Sequence, residues 1–266
     1  MRKIINAHCH IYPHKIAERA VSGIRDFYGL DYSLDGTTEG LIEDGQSIGC
    51  VHYLVHSVAT RPDQVRSIND FIAGEVKAHE GLFTGFGTLH PDSEDLKEDL
   101  DHLVELGLKG VKLHPDFQGF AMNGKRAEKL GELISGKNIP VLVHCGDPRY
   151  NFSNPEQMKP FLQKFPDLTV IGAHFAGWSM WDDAMKLLAD APNLMLDTCS
   201  SLMFMDRGMG EKLVRTFGAD RIFWATDYPM WCGQEELERF MALDLTDEER
   251  DKILYKNAAK FLGIEE

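Results

Sequence analysis

The sequence predicts an α/β fold in which one (β/α)₈ barrel occupies the whole chain, residues 1–266. Short β-branched runs, about eight in number, alternate with amphipathic stretches in a unit of roughly 25–30 residues. This alternation continues without a break, which favours a closed parallel barrel over an open sheet. The main alternative is a Rossmann-like or flavodoxin-like sheet, but no GxGxxG motif follows the first strand.

The predicted strands are short and are bounded by Gly, Pro, Asn or Asp. They are Lys3–Ala7, Val51–His56, Leu82–Leu89, Gly110–His114, Pro140–His144, Leu168–His174, Asn193–Asp197 and Arg221–Asp227. Apolar residues at spacings of three and four predict helices between them, as in Ser93–Leu106. The last helix is predicted to begin at Thr246, where Glu249 completes a capping box, and to end at Gly263. The connection Ile11–Gly49 is unusually long and should hold two helices or a flap over the barrel mouth.

Composition excludes several classes of protein. The formal net charge is -14 and no cluster of Lys and Arg is present, so nucleic-acid binding is not expected. The five cysteines form no CxxC pair, and no apolar run is long enough for a signal peptide or a membrane span. We therefore expect a soluble, cytoplasmic protein. An anionic substrate would require the site to supply its own positive charge.

The first strand carries two histidines, His8 and His10, two positions apart at its carboxyl end. Side chains of a barrel strand alternate between the interior and the surrounding helices. This alternation predicts that His8, His10 and Asn6 point inward. It also predicts that Ile5 and Ala7 face the helices. Two imidazoles at this spacing can reach one metal ion, although an isolated HxH motif is weak support for a metal site.

Three later apolar runs also end in polar groups. The predicted strand within PVLVHCG ends at His144, the one within LTVIGAHFAGW at His174 and the one within RIFWATDYP at Asp227. One such histidine alone is more often a hydrogen-bonded core residue, and one such aspartate is more often a turn residue. Barrel enzymes place their active sites at the carboxyl ends of the strands, however, and here four strands present His or Asp at that end. The pattern predicts a metal site.

The motifs NAHCH, KGVKLHP, VLVHCG, GAHFAGW and ATDYP, with the ending KILYKNAAKFLGI, resemble the amidohydrolase superfamily over essentially the whole chain. The closest resemblance is to its amidohydrolase-related (amidohydrolase 2) branch, which contains hydrolases and non-oxidative decarboxylases. The resemblance implies that His8, His10, His144 and Asp227 ligate one divalent ion. Zn²⁺ is the expected ion, with Mn²⁺ and Fe²⁺ as alternatives. His174 would lie close by without being an obligatory ligand.

These ligands predict a reaction in which a metal-activated water molecule attacks the substrate. Three imidazoles and one carboxylate leave an open position for a water molecule, whose pKa the ion lowers. Asp227 and His174 are the predicted catalytic residues: Asp227 would take and return the proton, and His174 would polarise the substrate carbonyl or orient the water. These two roles can also be exchanged. Lys112 and His114 lie two positions apart on the fourth predicted strand, so their side chains should both point inward. In some superfamily members a carboxylated lysine on this strand bridges two metals, but the resemblance favours one ion, with Lys112 contacting substrate or a buried carboxylate such as Asp197.

The rim loops are rich in aromatic residues, including Trp178, and contain scattered arginines. An apolar pocket with a cationic anchor suits a small aromatic or cyclic carboxylic acid. Arg149 or Arg61 is predicted to bind the substrate carboxylate. His56, at the end of the second strand, is a further candidate substrate contact.

Three functions are consistent with these residues. The leading one is hydrolysis of a small amide, lactone or ester through a metal-activated water. The alternative on the same ligands is non-oxidative decarboxylation of a small aromatic or unsaturated acid. A non-catalytic metal-binding barrel is the third, and it leaves His174 without a purpose. Barrel enzymes of this type often form homodimers, but no sequence feature identifies an interface.

Overall fold

The computed structural model describes residues 2–31 and 34–264. Its strands are all parallel to their neighbours. They are β1 Ile4–His10, β2 Cys50–His56, β3 Phe83–Gly85, β4 Gly87–Thr88, β5 Val111–Leu113, β6 Val141–Val143, β7 Val170–Gly172, β8 Leu194–Asp197 and β9 Ile222–Phe223.

Hydrogen bonds close these strands into a (β/α)₈ barrel. One sheet has the order β1-β2-β3 and the other the order β4 to β9. The third barrel strand is split at Phe86 into β3, which pairs with β2, and β4, which pairs with β5. At the split, the Phe86 amide donates to Val55 O and the Gly87 amide donates to Gly110 O. Backbone bonds between the first and last strands complete the circle, including Asp227 N to His8 O at 3.1 Å. The predicted third strand is therefore present as two short pieces.

The α-helices lie between the strands, and most of them pack around the barrel. They are α1 His14–Tyr28, α2 Thr38–Ile48, α3 Val65–Ala78, α4 Leu96–Glu105, α5 Pro115–Gln118, α6 Lys125–Ser135, α7 Pro155–Lys164, α8 Trp181–Leu188, α9 Arg207–Phe217, α10 Gly233–Met241, α11 Asp247–Asp251 and α12 Asn257–Leu262. Thr246 and Glu249 form the predicted capping box, and Gly263 ends α12 with a φ of 69°. Across the described ranges, none of the helices combines the length and apolar character that a bilayer span requires.

The orientation of β1 differs from the prediction. Lys112, Leu142 and Ile171 are aligned by the strand registers and so share one face, the interior of the barrel. Ile5 and Ala7 pack in the same buried cluster as Leu142 and Ile171. They therefore face the interior, and the prediction that they face the helices is wrong.

A bulge in β1 explains this difference. Asn6 aligns with Tyr53 and Cys9 with Val55, so three steps along β1 match two along β2. Such a bulge reverses the alternation of side chains. Tyr53 belongs to the outer hydrophobic cluster, so Asn6 lies on the outer side, contrary to its predicted direction. Beyond the bulge the histidine pair of β1 faces the interior, as predicted.

The long connection after β1 contains two helices, α1 and α2, as predicted. Helix α1 crosses the mouth of the barrel. It begins four residues after His10, and the hydroxyl of Tyr28, its last residue, lies 3.0 Å from His114 Nε2. The opposite end of the barrel is filled by α12, whose Ala258 and Ala259 pack against the interior cluster. Among the residues that the structure describes, only the α1 end is therefore open to a ligand.

Candidate metal centre

His8, His10 and Asp227 form a triangle of potential ligand atoms inside the barrel. The two Nε2 atoms are 3.3 Å apart, and Asp227 Oδ1 lies 3.3 Å from His8 Nε2 and 3.4 Å from His10 Nε2. Ligand atoms about 2.0–2.1 Å from a tetrahedral metal ion are separated by about 3.3–3.4 Å. The spacing therefore fits three ligands of one ion. All three side chains are buried, at 0%, 5% and 6% exposure.

A second carboxylate fixes the tautomer of His8. Asp197 Oδ2 lies 2.8 Å from His8 Nδ1 and is fully buried. An ionised carboxylate can only accept hydrogen bonds, so His8 Nδ1 carries the proton and its Nε2 keeps a free lone pair. The other oxygen of Asp197 accepts bonds from the backbone amides of His174 and Cys199, at 2.9 and 3.3 Å. Asp197 therefore holds β8 and the turn after β7 around His8.

The electrostatics of the triangle suit a cation. Burial lowers the pKa of His10 to about 4, so its imidazole is neutral at pH 7 and can donate a lone pair. Burial alone would raise the pKa of Asp227. The neighbouring imidazoles of His8, His10 and His174 more than offset that effect and hold the pKa well below its ordinary value. The centre thus offers the neutral imidazole of His10 beside one anionic oxygen.

His144 and His174 form a separate pair beside this triangle. His144 Nδ1 lies 2.9 Å from His174 Nε2, and His174 Nδ1 lies 3.1 Å from Cys199 O and 4.0 Å from Asp227 Oδ2. Because His174 Nδ1 donates to the carbonyl, its Nε2 accepts from His144 Nδ1–H. His144 Nε2 is then an acceptor, and it is buried without a hydrogen-bond partner in the described structure. The role of His144 as fourth ligand stays a prediction.

His56 lies behind the triangle. Its ring contacts those of His8 and His10 edge-on, at centroid distances of 4.7 and 4.4 Å. Both of its nitrogens are buried without a partner among the described residues, and one can be grouped with nitrogens of His8 and His10 as a further potential ligand set. His56 is not among the described residues that line the cavity. The structure thus places it against the candidate ligands and away from a substrate.

Lys112 and His114 both point inward. Lys112 is 1% exposed, and its Nζ lies 3.0 Å from His8 Nε2. Burial lowers the pKa of Lys112. The His114 ring is stacked between those of Phe117 and His144, at 3.8 and 3.9 Å. Both residues line the same cavity as the triangle, so both can touch a ligand there.

The second oxygen of Asp227 accepts a hydrogen bond from Ser200, which is itself bonded by Trp231. The Ser200 hydroxyl donates to Asp227 Oδ2 at 2.5 Å, and Trp231 Nε1 donates to Ser200 Oγ at 2.8 Å. Asp227 also adopts a left-handed backbone conformation with a φ of 62°. Asp tolerates this conformation better than most residues. The carboxylate is therefore fixed on both oxygens, one toward the triangle and one toward Ser200.

The turn after β7 is equally unusual. His174, Phe175 and Ala176 have consecutive φ values of 61°, 53° and 56°. Left-handed conformations cost free energy for non-glycine residues and persist where the surroundings enforce them. Gly146 packs closely against this turn: a Cβ there would lie 2.5 Å from Trp178 N. Two rim loops thus meet backbone to backbone beside His144 and His174.

We expect Gly146→Ala to destabilise the protein by about 3 kcal/mol or more. Gly107→Ala is the matched control. Both glycines have positive φ, 86° and 80°, but a Cβ on Gly107 meets no atom within 4 Å. The control should lose only about 1–2 kcal/mol, the cost of the left-handed backbone. Urea unfolding measures both values, and equal losses would contradict a close contact between the two loops.

A cavity of about 880 Å³ lies between α1 and the barrel. His8, His10, Lys112, His114, His144, His174, Trp178 and Asp227 line it. Arg149 is absent from the described lining: it pairs with Asp147 through two hydrogen bonds of 3.0 and 2.7 Å, and it also donates to Phe27 O. The structure therefore leaves Arg149 fastening a rim loop to α1, away from a substrate carboxylate. Arg61 does line the cavity, while also pairing with Asp63.

Sequence reasoning missed three residues of this site. Tyr28 reaches His114 from α1, Ser200 bonds Asp227, and Cys199 Sγ lies 3.3 Å from His8 Nδ1. Asp197 was considered as a partner of Lys112, whereas it bonds His8. Cys199 and Ser200 lie two and three residues beyond the end of β8, and this position is the available signal. No pattern in the sequence pointed to Tyr28, because its contact depends on how α1 crosses the barrel.

Comparison with known proteins identifies the family of the chain and its fold. The amidohydrolase family model matches residues 5–264. An uncharacterised TIM-barrel protein from Bordetella bronchiseptica has a TM-score of 0.83 at 22% identity, with 98% of each chain covered. A dihydroxybenzoic acid decarboxylase from Polaromonas, solved with manganese and 2-nitroresorcinol, has a TM-score of 0.74 at 16% identity, covering 99% of this chain and 98% of that one.

A protein assigned as a 2-pyrone-4,6-dicarboxylic acid hydrolase from Pseudomonas putida has a TM-score of 0.70 at 17% identity, covering 100% of this chain and 99% of that one. Similarities at these identities establish the fold alone, and two of the three structures are named for different reactions. Family membership instead comes from the family model, which spans both the first strand with His8 and the last with Asp227. The chain belongs to the amidohydrolase family.

Proposed function

We propose that this protein is a metal-dependent hydrolase acting on an amide, lactone or ester of a small carboxylic acid. The observation that carries the proposal is the arrangement of Asp227: one oxygen completes a triangle with His8 and His10, and the other lies 4.0 Å from His174 Nδ1. One carboxylate thus borders both the candidate ion and the second predicted catalytic residue. That placement suits a group that moves a proton during hydrolysis.

One divalent ion would be held by His8, His10 and Asp227, with His144 as the fourth ligand. The unpartnered buried nitrogen His144 Nε2 supports this fit, because buried polar atoms rarely lack a partner. Such an ion lowers the pKa of water toward neutrality and polarises carbonyl groups. Zn²⁺ fits this nitrogen-rich ligand set, with Mn²⁺ and Fe²⁺ as alternatives.

The residues of the chain supply the remaining functions. Asp227 accepts a proton from the attacking water and returns it to the leaving group, while Ser200 keeps its carboxylate oriented. His174, 4.0 Å from the same carboxylate, orients the attacking water. Lys112 stabilises the carboxylate of the substrate, and His114 and Trp178 form an aromatic wall.

Metal analysis of the purified protein tests the proposed centre. We expect one ion per chain, loss of activity on chelation, and recovery when Zn²⁺ or Mn²⁺ is returned. Two ions per chain would overturn the single-ion centre in favour of a bridge through a carboxylated Lys112. Replacing His144 and His56 separately by Gln distinguishes the fourth ligand: the His144 variant should lose metal affinity, and a loss confined to the His56 variant would contradict the proposal.

Non-oxidative decarboxylation is the second candidate, and the lining of the cavity favours it. The described lining contains four Lys or Arg residues and one acidic residue, Asp227, and it includes several aromatic rings. This environment suits a flat aromatic acid whose carboxylate is lost as CO₂. His174 or Asp227 would then protonate the ring carbon.

A screen of lactones, amides, esters and aromatic acids in ¹⁸O-labelled water separates the two reactions. Hydrolysis incorporates one labelled oxygen into the organic product. Decarboxylation releases CO₂ and leaves the organic product without that label. We expect label in the product, and CO₂ release without incorporation would replace hydrolysis by the second candidate.

A further inference from the structure

The cavity is larger than a single-ring acid requires. At about 880 Å³ it lies near the upper end of the range for pockets that bind drug-sized ligands. Beyond the histidines, its wall continues along α1 and the segment that leads into α3. This outer part takes no role in the proposed reaction.

One face of α1 forms much of that outer wall. Lys15, Arg19, Gly23 and Phe27 recur at intervals of four residues, which places them on one side of the helix. Tyr28 contacts His114 at the carboxyl end of α1. Because an α-helix rises about 1.5 Å per residue, Arg19 and Lys15 lie about 14 and 20 Å from Tyr28 along the axis. The cavity is therefore elongated along α1.

The far end of the cavity combines positive charge with apolar surface. Lys15, Arg19 and Arg61 line it, and none of the ion pairs in the described structure uses Lys15 or Arg19. Ile16, which is 42% exposed, and the half-buried Phe71 stand beside them. In a chain with a net charge of -14, a cavity wall with Lys15, Arg19 and Arg61, of which Arg61 pairs with Asp63, is a local reversal of sign. Such a reversal attracts an anion.

We propose that this outer part of the cavity is a second anion subsite, and that the substrate is an elongated acid with an anionic group at each end and an apolar segment between them. The subsite consists of Lys15, Arg19 and Arg61 for the anion, with Ile16 and Phe71 for the apolar segment. The inference rests on the proposed function, because it places the reacting end of the same substrate at the histidines.

Binding measurements test the subsite without requiring catalysis. The probes are benzoates with a para alkyl tail and benzoates with an ω-carboxyalkyl tail of the same length, titrated calorimetrically into the metal-loaded protein. We expect the carboxylate tail to bind about tenfold more tightly than the alkyl tail once it is long enough to reach the cations. Equal affinities at every tail length would overturn the subsite.

Two pairs of variants locate the effect. Lys15→Gln with Arg19→Gln should abolish the preference for the charged tail. Lys159→Gln with Lys186→Gln removes the same charge from exposed helical positions outside the described lining and should leave the preference intact. A preference that survives the first double substitution would overturn the assignment to α1.

Gly23→Leu provides a test that does not depend on charge. A Cβ on Gly23 or on Gly74 meets no atom within 4 Å, and both substitutions improve helix propensity, but only Gly23 lines the cavity. Gly23→Leu should weaken binding of long-tailed probes while unsubstituted benzoate binds as before, and Gly74→Leu should change neither. Failure of the proposed function would appear separately, as a lack of metal or of turnover despite a normal tail preference.

Discussion

Replacing Asp227 by Asn is expected to lower kcat/KM for the best substrate by about 10³-fold or more. The amide keeps the shape of the side chain and tolerates the left-handed backbone at this position, where φ is 62°. It removes the negative charge of the triangle with His8 and His10, and it cannot accept the proton of the attacking water. The variant should also lose metal affinity, which elemental analysis after dialysis against a weak chelator measures.

Asp99→Asn is the matched control for this substitution. Asp99 is 8% exposed and Asp227 6%, so both carboxylates are buried to a similar extent. Asp99 lies on α4 and pairs with Arg66, away from the residues that line the cavity. The Asp99→Asn variant should retain full metal content and an unchanged kcat/KM. Undiminished turnover in Asp227→Asn would remove Asp227 from the catalytic residues.

Much of the fold could be predicted from the sequence, because its signals are local. Short β-branched runs and helical spacings identified every barrel strand, and the capping box at Thr246 located the last helix. The orientation of β1 was predicted wrongly before the bulge, because alternation assumes an unbroken register. His8 and His10 nevertheless point inward, since the bulge lies before them.

The polar residues at the strand ends of the candidate site could be predicted from the sequence, but the residues that bond them could not. His174 and Asp227 follow apolar runs, and both lie at the barrel mouth beside the cavity. The contact between Asp197 and His8 joins residues 189 positions apart. For Arg149 the sequence leaves two roles open, since a rim arginine can bind substrate or fasten a loop. Only the position of Asp147 decides between these roles.

Replacing Asp197 by Asn is expected to lower metal affinity by about 10–100-fold, although Asp197 is not itself in the triangle. Both of its oxygens accept hydrogen bonds, one from His8 and one from the backbone amides of His174 and Cys199. An amide has one accepting oxygen and one donating nitrogen. Because the backbone amides must donate, the amide nitrogen turns toward His8 Nδ1. His8 then carries its proton on Nε2, where a metal ion cannot bind.

Asp116→Asn separates this tautomer effect from a general loss of buried charge. Asp116 is also buried at the rim, 3.7 Å from His144 Nε2, but its hydrogen bond comes from the Ser153 hydroxyl at 2.7 Å, which can rotate to donate or accept. Competition with a chelator should therefore give weaker metal binding for Asp197→Asn and nearly unchanged binding for Asp116→Asn. The ¹⁵N chemical shifts of His8 in the metal-free proteins report the tautomer directly. Tight metal binding in Asp197→Asn with the His8 proton on Nε2 would show that His8 is not a ligand.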